Sequence, residues 1–159
     1  VEHLRHPEAI LTEWWRLLRP GGQVWIWWCL WRHPYGHHLT SVVPLPWVHL
    51  VVPEETLCRV AARVYHDPAY TPRMWDLDPA TGQKMPDKWR DNTYTEGWLN
   101  KLSLAEFKRL ARENRFGAEV RTYGFGTARK GVRAALARLP YLGEYLTSYY
   151  AITLTKLDE

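Results

Sequence analysis

Cysteine is scarce in this sequence, which has only Cys29 and Cys58 among 159 residues. A disulfide framework needs more cysteines than one pair, so we expect two buried free thiols and a reducing, cytoplasmic location. Long apolar runs are missing too, because none approaches the roughly 18 residues that span a bilayer. No segment has the pattern of a signal peptide. The sequence therefore predicts a cytoplasmic protein without a membrane partner.

Charge of one sign is not concentrated anywhere along the chain. The formal net charge is +4, and the basic residues are scattered, mostly at helical spacing. That distribution is typical of a solvated helix surface rather than of a groove that follows a nucleic-acid backbone, so we expect no nucleic-acid partner. The sequence also lacks a G-x-G-x-x-G loop, which cradles the phosphates of a dinucleotide in many α/β domains.

Apolar and aromatic residues, in contrast, are plentiful. They make up 46% of the chain, which includes ten tryptophans, and the length is sufficient for one domain with a real core. We therefore expect a single domain, residues 1–159, with a loop-rich insertion at 66–102, where no hydrophobic period survives and X-Pro turns recur. Four aromatic side chains are expected to hold this insertion in place: Tyr70, Trp75, Trp89 and Trp98.

The stretch from the first predicted helix into the first predicted strand organises the chain. An amphipathic helix at 7–19 ends before Pro20, whose ring cannot continue it, and Gly21 and Gly22 allow the chain to reverse. The run 24–30 is apolar on both alternating faces, which predicts a strand covered on both sides by helices. Further helices are expected at 53–65, 103–114 and 128–139, and further strands at 118–123 and 146–157.

Three motifs follow one another near the start of the chain: Val1-Glu2-His3-Leu4, Pro7-Glu8-Ala9-Ile10-Leu11 and Leu17-Leu18-Arg19-Pro20-Gly21-Gly22. In this combination and spacing they resemble the C-terminal half of a class I S-adenosylmethionine-dependent methyltransferase. The stretches 102–110 and 147–156 are similar to that family's late helix and last strand. The family's glycine-rich cofactor loop is missing from the sequence, so we expect a fragment, one piece of a split enzyme, or a degenerate relative.

The resemblance implies an α/β fold with part of a Rossmann-like methyltransferase sheet. Its final strand, 146–157, would lie antiparallel between strands 23–30 and 118–123, in a three-stranded mixed core with flanking helices and a long aromatic loop insertion. The other edge of strand 24–30 would then lack its usual neighbour. Because bare edges invite pairing, we expect this edge to be occupied by a complementary N-terminal half, by a second copy in a homodimer, or by part of the long loop.

Four of the seven histidines lie between positions 33 and 49, in the segment that follows strand 24–30. Ligands of doubly wound sheets bind beyond the carboxyl ends of the strands, so we expect an acceptor pocket here. His37 and His49 are the candidate catalytic residues, one of them taking a proton. The candidate substrate-binding residues are Arg32, Tyr35, His38 and Trp47. By the resemblance, Glu2 and His3 would contact the cofactor, S-adenosylmethionine.

Two alternatives remain open for the same residues. The histidines could hydrogen-bond to the loop backbone while Trp47 packs in the core. They could instead bind zinc, a metal that favours imidazole and carboxylate ligands, although there is no paired cysteine and no H-x-x-x-H on a helix. The ligands considered for zinc are His33, His37, His49, Asp67 and Asp78.

Two functions also remain open. The resemblance implies the acceptor-binding half of a methyltransferase that acts on a small molecule and needs a cofactor-binding half supplied elsewhere. The alternative is a non-catalytic, methyltransferase-like module that binds a partner chain or an apolar ligand. The sequence does not identify the acceptor or the atom that would be methylated.

Overall fold

The fold, seen in a computed structural model that describes residues 1–87, 89, 99–124, 139 and 141–157, is α/β. The described helices flank an open three-stranded sheet. The helices are α1 (Pro7–Leu17), α2 (Glu54–Tyr65), α3 (Leu104–Glu113) and the single turn α4 (Gly143–Leu146). The strands are β1 (Gln23–Trp28), β2 (Phe116–Gly124) and β3 (Thr147–Lys156). No helix in the described part of the chain is both long and apolar enough to cross a membrane.

The last strand lies in the middle of the sheet, in the order β1-β3-β2. Ile152 of β3 is opposite Ile26 of β1 on one side and Val120 of β2 on the other. The predicted position of the final strand is therefore confirmed. The predicted mixed sheet is wrong, because both ladders are antiparallel. β1 and β2 do run parallel to each other, but β3 separates them and no parallel ladder forms.

One face of the sheet carries the main core. Leu11 of α1 and Phe107 of α3 are fully buried against it, and the ring of Phe107 lies 5.1 Å from that of Trp28. The amphipathic patterns at 7–19 and from Ser103 onward account for these two helices. Ser103 and Glu106 form the predicted capping box at the start of α3.

The other face of β1 is open, which corrects the prediction of a strand covered on both sides. Trp25 is 81% exposed and Trp27 is 57% exposed, whereas Trp28 is 1% exposed. Trp27 packs sideways against Tyr123 and Tyr149, with ring centroids 4.9 and 5.3 Å away. Both faces of an apolar strand are buried only if other elements pack on each face. Here the second face is partly covered by neighbouring aromatic rings instead.

A second core lies under the segment that links β1 to α2. Leu39, Val42 and Val43 of this segment pack with Leu57 and Cys58 of α2. Pro53 and two glutamates begin α2 as the sequence predicts, because proline suits a helix start and the dipole favours acids in the first turn. Cys58 and Cys29 are both buried and free.

A buried carboxylate helps to hold the loop after α2. Asp76 is 2% exposed, and it accepts hydrogen bonds from the Tyr70 hydroxyl at 2.6 Å and the Arg73 backbone N–H at 2.8 Å. Lys84 donates to the Tyr65 carbonyl, and its ammonium lies 4.1 Å from the Tyr65 ring centroid.

The aromatic side chains predicted to hold this loop behave differently from one another. Tyr70 bonds to Asp76, and Trp89 is 2% exposed within the second core. Trp75 is 55% exposed and does not anchor the loop by burial. Trp98 and nearly all of the predicted helix at 128–139 lie outside the described residues.

The two faces of β1 predict opposite outcomes for neighbouring tryptophans. Trp28→Ala leaves a cavity in the core, so we expect a loss of about 3–5 kcal/mol in the free energy of unfolding. Trp25→Ala removes an exposed side chain, so we expect a change within about 0.5 kcal/mol. Urea denaturation at low protein concentration measures both. Equal losses for the two variants would contradict the one-sided burial of β1.

Candidate functional site

A cavity of about 190 Å³ opens beside the segment that leaves the carboxyl end of β1. Its walls come from that segment, from the first turns of α2 and from one residue ahead of α3. Most of the lining side chains are apolar, and two histidines lie side by side among them. The lining residues are Trp31, His37, Leu39, His49, Val52, Pro53, Glu54, Leu57, Cys58 and Lys101.

Close backbone packing shapes the segment that carries the histidines. A side chain at Gly36 would place its Cβ 2.1 Å from the Trp31 carbonyl oxygen, so only glycine fits there. Trp47 has a φ of +57°, which is unusual for a bulky residue, and its N–H donates to the Pro34 carbonyl at 2.6 Å. Trp47 immediately precedes the 3-10 turn Val48–Leu50, so its backbone fixes the position of His49.

His49 has one ring nitrogen in use and one without a partner. Its Nε2 lies 2.6 Å from the Trp31 carbonyl oxygen. A carbonyl only accepts, so Nε2 carries the proton. Nδ1 is then unprotonated and carries a lone pair. It is buried and has no hydrogen-bond partner among the described residues. Burial lowers the pKa of His49, with Lys101 acting in the same direction and the bond to Trp31 opposing it. His49 is thus a neutral imidazole with an unused acceptor.

His37 stands beside His49 but has both nitrogens engaged. The two ring centroids are 4.9 Å apart. Nδ1 accepts the Leu39 backbone N–H at 2.9 Å, so Nε2 carries the proton and donates to the Leu45 carbonyl at 3.4 Å. Burial, together with His49, lowers the pKa of His37 to about 4. The structure therefore uses His37 to hold the loop and leaves His49 as the available base.

His33 lies outside the cavity and bonds within its own turn. Its Nδ1 accepts from the Tyr35 backbone N–H at 3.2 Å and lies 3.4 Å from the Cys29 sulfur. Burial lowers the pKa of His33 to about 4, and burial raises the pKa of Cys29 to about 12. Both side chains are therefore neutral near pH 7.

Arg32 and Trp47 join the same segment to α4, the turn just before β3, and neither lines the cavity. Arg32 donates to Glu144 at 2.6 Å, and the other oxygen of Glu144 accepts the Leu104 N–H at 2.9 Å, at the start of α3. The Trp47 indole N–H donates to the Tyr145 carbonyl at 3.1 Å. These two residues hold the site in place rather than contact a ligand in this cavity.

The other predicted site residues also lie outside the cavity. His38 meets the ring of His3 edge-on at 5.3 Å, and the ring of Tyr35 lies 6.2 Å from that of His37. The Glu2 carboxylate pairs with the N-terminal amine at 3.0 Å, and its carbonyl accepts the Asn100 N–H at 2.7 Å. Of the predicted catalytic and binding residues, the structure brings only His37 and His49 together in the cavity.

The zinc alternative finds no support in the described residues. Among them, no three or more His, Cys, Asp or Glu side chains are close enough together to hold a metal ion. His37 and His49 do meet, but Asp78 accepts two backbone N–H groups of its own turn, at 2.8 and 2.9 Å.

The sequence did not point to Lys101 as a site residue. Its ammonium lies 5.1 Å from the Trp31 ring centroid and its side chain lines the cavity. Lys101 comes from a part of the chain far from the histidines, and no motif surrounds it. Leu57 could be foreseen as buried, because it lies on the apolar face of α2, but not as part of a cavity wall.

Comparisons of the chain with models of known protein families, with curated proteins and with solved structures found no match.

The buried histidines make stability depend on pH. The pKa of His33 and of His37 is lowered to about 4, against about 6.5 in the unfolded chain. Between these values the unfolded chain binds more protons than the folded one, so the free energy of unfolding falls as the pH falls. For each of these two histidines we expect a loss of about 2 kcal/mol between about pH 7 and about pH 5.

Urea unfolding at the two pH values measures this loss. His6 is the control, because its side chain is 71% exposed, and His6→Gln should leave the difference between the two pH values unchanged. Equal stability at both pH values would show that the histidines are not buried as neutral groups.

Proposed function

We propose that this chain is the acceptor-binding part of an S-adenosylmethionine-dependent methyltransferase, and that His49 takes the proton of the acceptor. One observation carries the proposal. A neutral imidazole, fixed through Nε2–H to the Trp31 carbonyl, lies on a cavity of about 190 Å³, and its buried Nδ1 has no partner among the described residues. A buried acceptor that lacks a donor is costly, and a hydroxyl or amine of a ligand would satisfy it.

The sheet supports the link to methyltransferases. The resemblance implies a final strand inserted antiparallel between two others, and β3 has that place between β1 and β2. The turn Arg19-Pro20-Gly21-Gly22 leads into β1, as the resembled motif does. The cavity lies on the segment that leaves the carboxyl end of β1, which is where α/β sheets bind their ligands.

In the proposal, this chain does not hold the cofactor alone. Glu2, which the resemblance places at the cofactor, accepts the Asn100 backbone N–H through its own carbonyl. His3 packs on His38. Neither of them lines the cavity beside His49. In the proposed enzyme a separate half binds the cofactor, and this chain contributes the acceptor pocket and its base.

The residues that line the cavity have different roles in the proposal. Trp31 fixes the tautomer of His49 through its carbonyl and forms a wall with its ring. Leu39, Val52 and Leu57 are apolar and suit the body of a small organic acceptor. An O–H or N–H of that acceptor would donate to His49 Nδ1, and its proton would move there as the acceptor atom becomes nucleophilic.

A pair of test compounds examines the role of His49. Phenol has the hydroxyl that the proposal needs, and anisole has the same ring without a donor. We expect phenol to bind about threefold to tenfold more tightly than anisole, because it gives the buried Nδ1 a hydrogen bond worth about 1 kcal/mol. Titration followed by NMR measures both affinities and shows whether the His49 ring nitrogens respond.

His49→Phe is the matched variant, since it keeps a ring and removes the acceptor. We expect it to bind the two compounds equally. If wild type also binds them equally, or if the His49 resonances do not move, then His49 is not the base. If wild type and His49→Phe bind both compounds in the cavity with the same affinity, the chain fits the alternative of a non-catalytic module for apolar ligands.

The sequence lacks the glycine-rich loop that holds S-adenosylmethionine in the resembled family. We therefore expect no binding of S-adenosylmethionine at micromolar concentrations. Isothermal titration calorimetry with the 159-residue chain makes this test. Micromolar binding by the chain alone would show that it is not merely the acceptor-binding part.

A further inference from the structure

β1 is an edge strand of the sheet that the structure describes. The Lys156 N–H donates to the Gly22 carbonyl at 2.9 Å, and antiparallel ladders alternate between bonded and non-bonded pairs. Val24, Ile26 and Trp28 therefore bond to β3, while the backbone groups of Gln23, Trp25 and Trp27 point away from it. No described residue pairs with this outer edge.

The two edges of the sheet are protected very differently. β2, at the far edge, has the charged side chains of Glu119 and Arg121, which form an ion pair at 2.9 Å, and an irregularity between Tyr123 and Gly124. Charges and bulges are the usual means of keeping an edge from pairing with another chain. β1 has the sequence Gln-Val-Trp-Ile-Trp-Trp, without a charge, a proline or a bulge.

The exposed side chains at this edge are also apolar. Trp25 is 81% exposed and Trp27 is 57% exposed, and from the size of an aromatic side chain the two leave on the order of 300 Å² open. The same two residues present the free backbone groups. A strand added at this edge would thus use both the hydrogen bonds and the indole surface.

We propose that two copies of this chain pair antiparallel through β1, with the two-fold axis at Trp25. In that register Trp25 faces Trp25 of the partner copy, and Trp27 faces Gln23 of the partner copy. The outward-directed N–H and C=O groups of one copy then face those of the other copy. A register shifted by one residue would place them opposite groups that already bond to β3. The two sheets become one of six strands, and the two Trp25 indoles are cross-strand neighbours on its open face.

A second copy fits this edge for two reasons. The strand is uncharged, so two copies meet without like-charge repulsion. The two-fold register also places every free N–H and C=O opposite its complement. The indole area is well below the about 800 Å² per partner that stable interfaces of standard size bury. We therefore expect a reversible dimer with a dissociation constant in the micromolar range.

Sedimentation equilibrium tests the dimer, and a cysteine pair tests its register. Paired residues at bonded positions have Cα atoms about 5.5 Å apart, within disulfide range. Trp25→Cys should therefore form a disulfide-linked dimer under mild oxidation. Trp27→Cys should not, because its own copy would be about 14 Å away along the strands. The native cysteines are buried and do not compete.

A charge placed on the edge gives the second test. Trp25→Lys should raise the dissociation constant at least tenfold. Thr122→Lys adds the same charge at an exposed position of β2, on the opposite edge of the sheet, and should leave the dissociation constant unchanged. A wild-type chain that stays monomeric at about 100 μM, far above the micromolar dissociation constant expected, would overturn the proposal. Oligomers beyond the dimer, or equal cross-linking at positions 25 and 27, would overturn it as well.

Discussion

The insertion of β3 between β1 and β2 is the constraint on which the rest of the structure depends. Ile152 and Leu154 of β3 are buried in the main core, and the strand pairs along its length with both neighbours. α4 leads directly into β3, so it is fixed beside the carboxyl end of β1. There Glu144 accepts a hydrogen bond from Arg32, and the Tyr145 carbonyl accepts one from the Trp47 indole. The C-terminal strand thus positions the segment that carries His49.

Local signals predicted the helices and strands that local chemistry controls. Pro7, the capping box at Ser103 and the prolines around α2 mark helix starts because each satisfies or avoids a backbone donor in its own turn. The central place of β3 depends on residues more than 100 positions apart, and only the resemblance predicted it. The second face of β1 was predicted wrongly, since an apolar run does not reveal whether a second layer exists to cover it.

The candidate site was predicted in part, for a similar reason. The spacing of histidines after β1 pointed to the segment that lines the cavity, because open α/β sheets bind ligands beyond the carboxyl ends of their strands. It could not rank the histidines. His37 and His49 differ only in which backbone groups meet their nitrogens, and those contacts depend on the path of the loop through Gly36 and Trp47. Lys101 joins the site through tertiary packing alone.

The two proposals depend on different parts of β1 and do not require each other. The cavity lies on the segment beyond its carboxyl end, where burial keeps His49 neutral and the Trp31 carbonyl fixes its tautomer. The proposed dimer uses the outer edge and the open face, around Trp25. A cofactor-binding half that added a strand at the same edge would compete with the second copy. In that case the dimer would be the form of the chain without that half, and assembly of the proposed enzyme would require the dimer to dissociate.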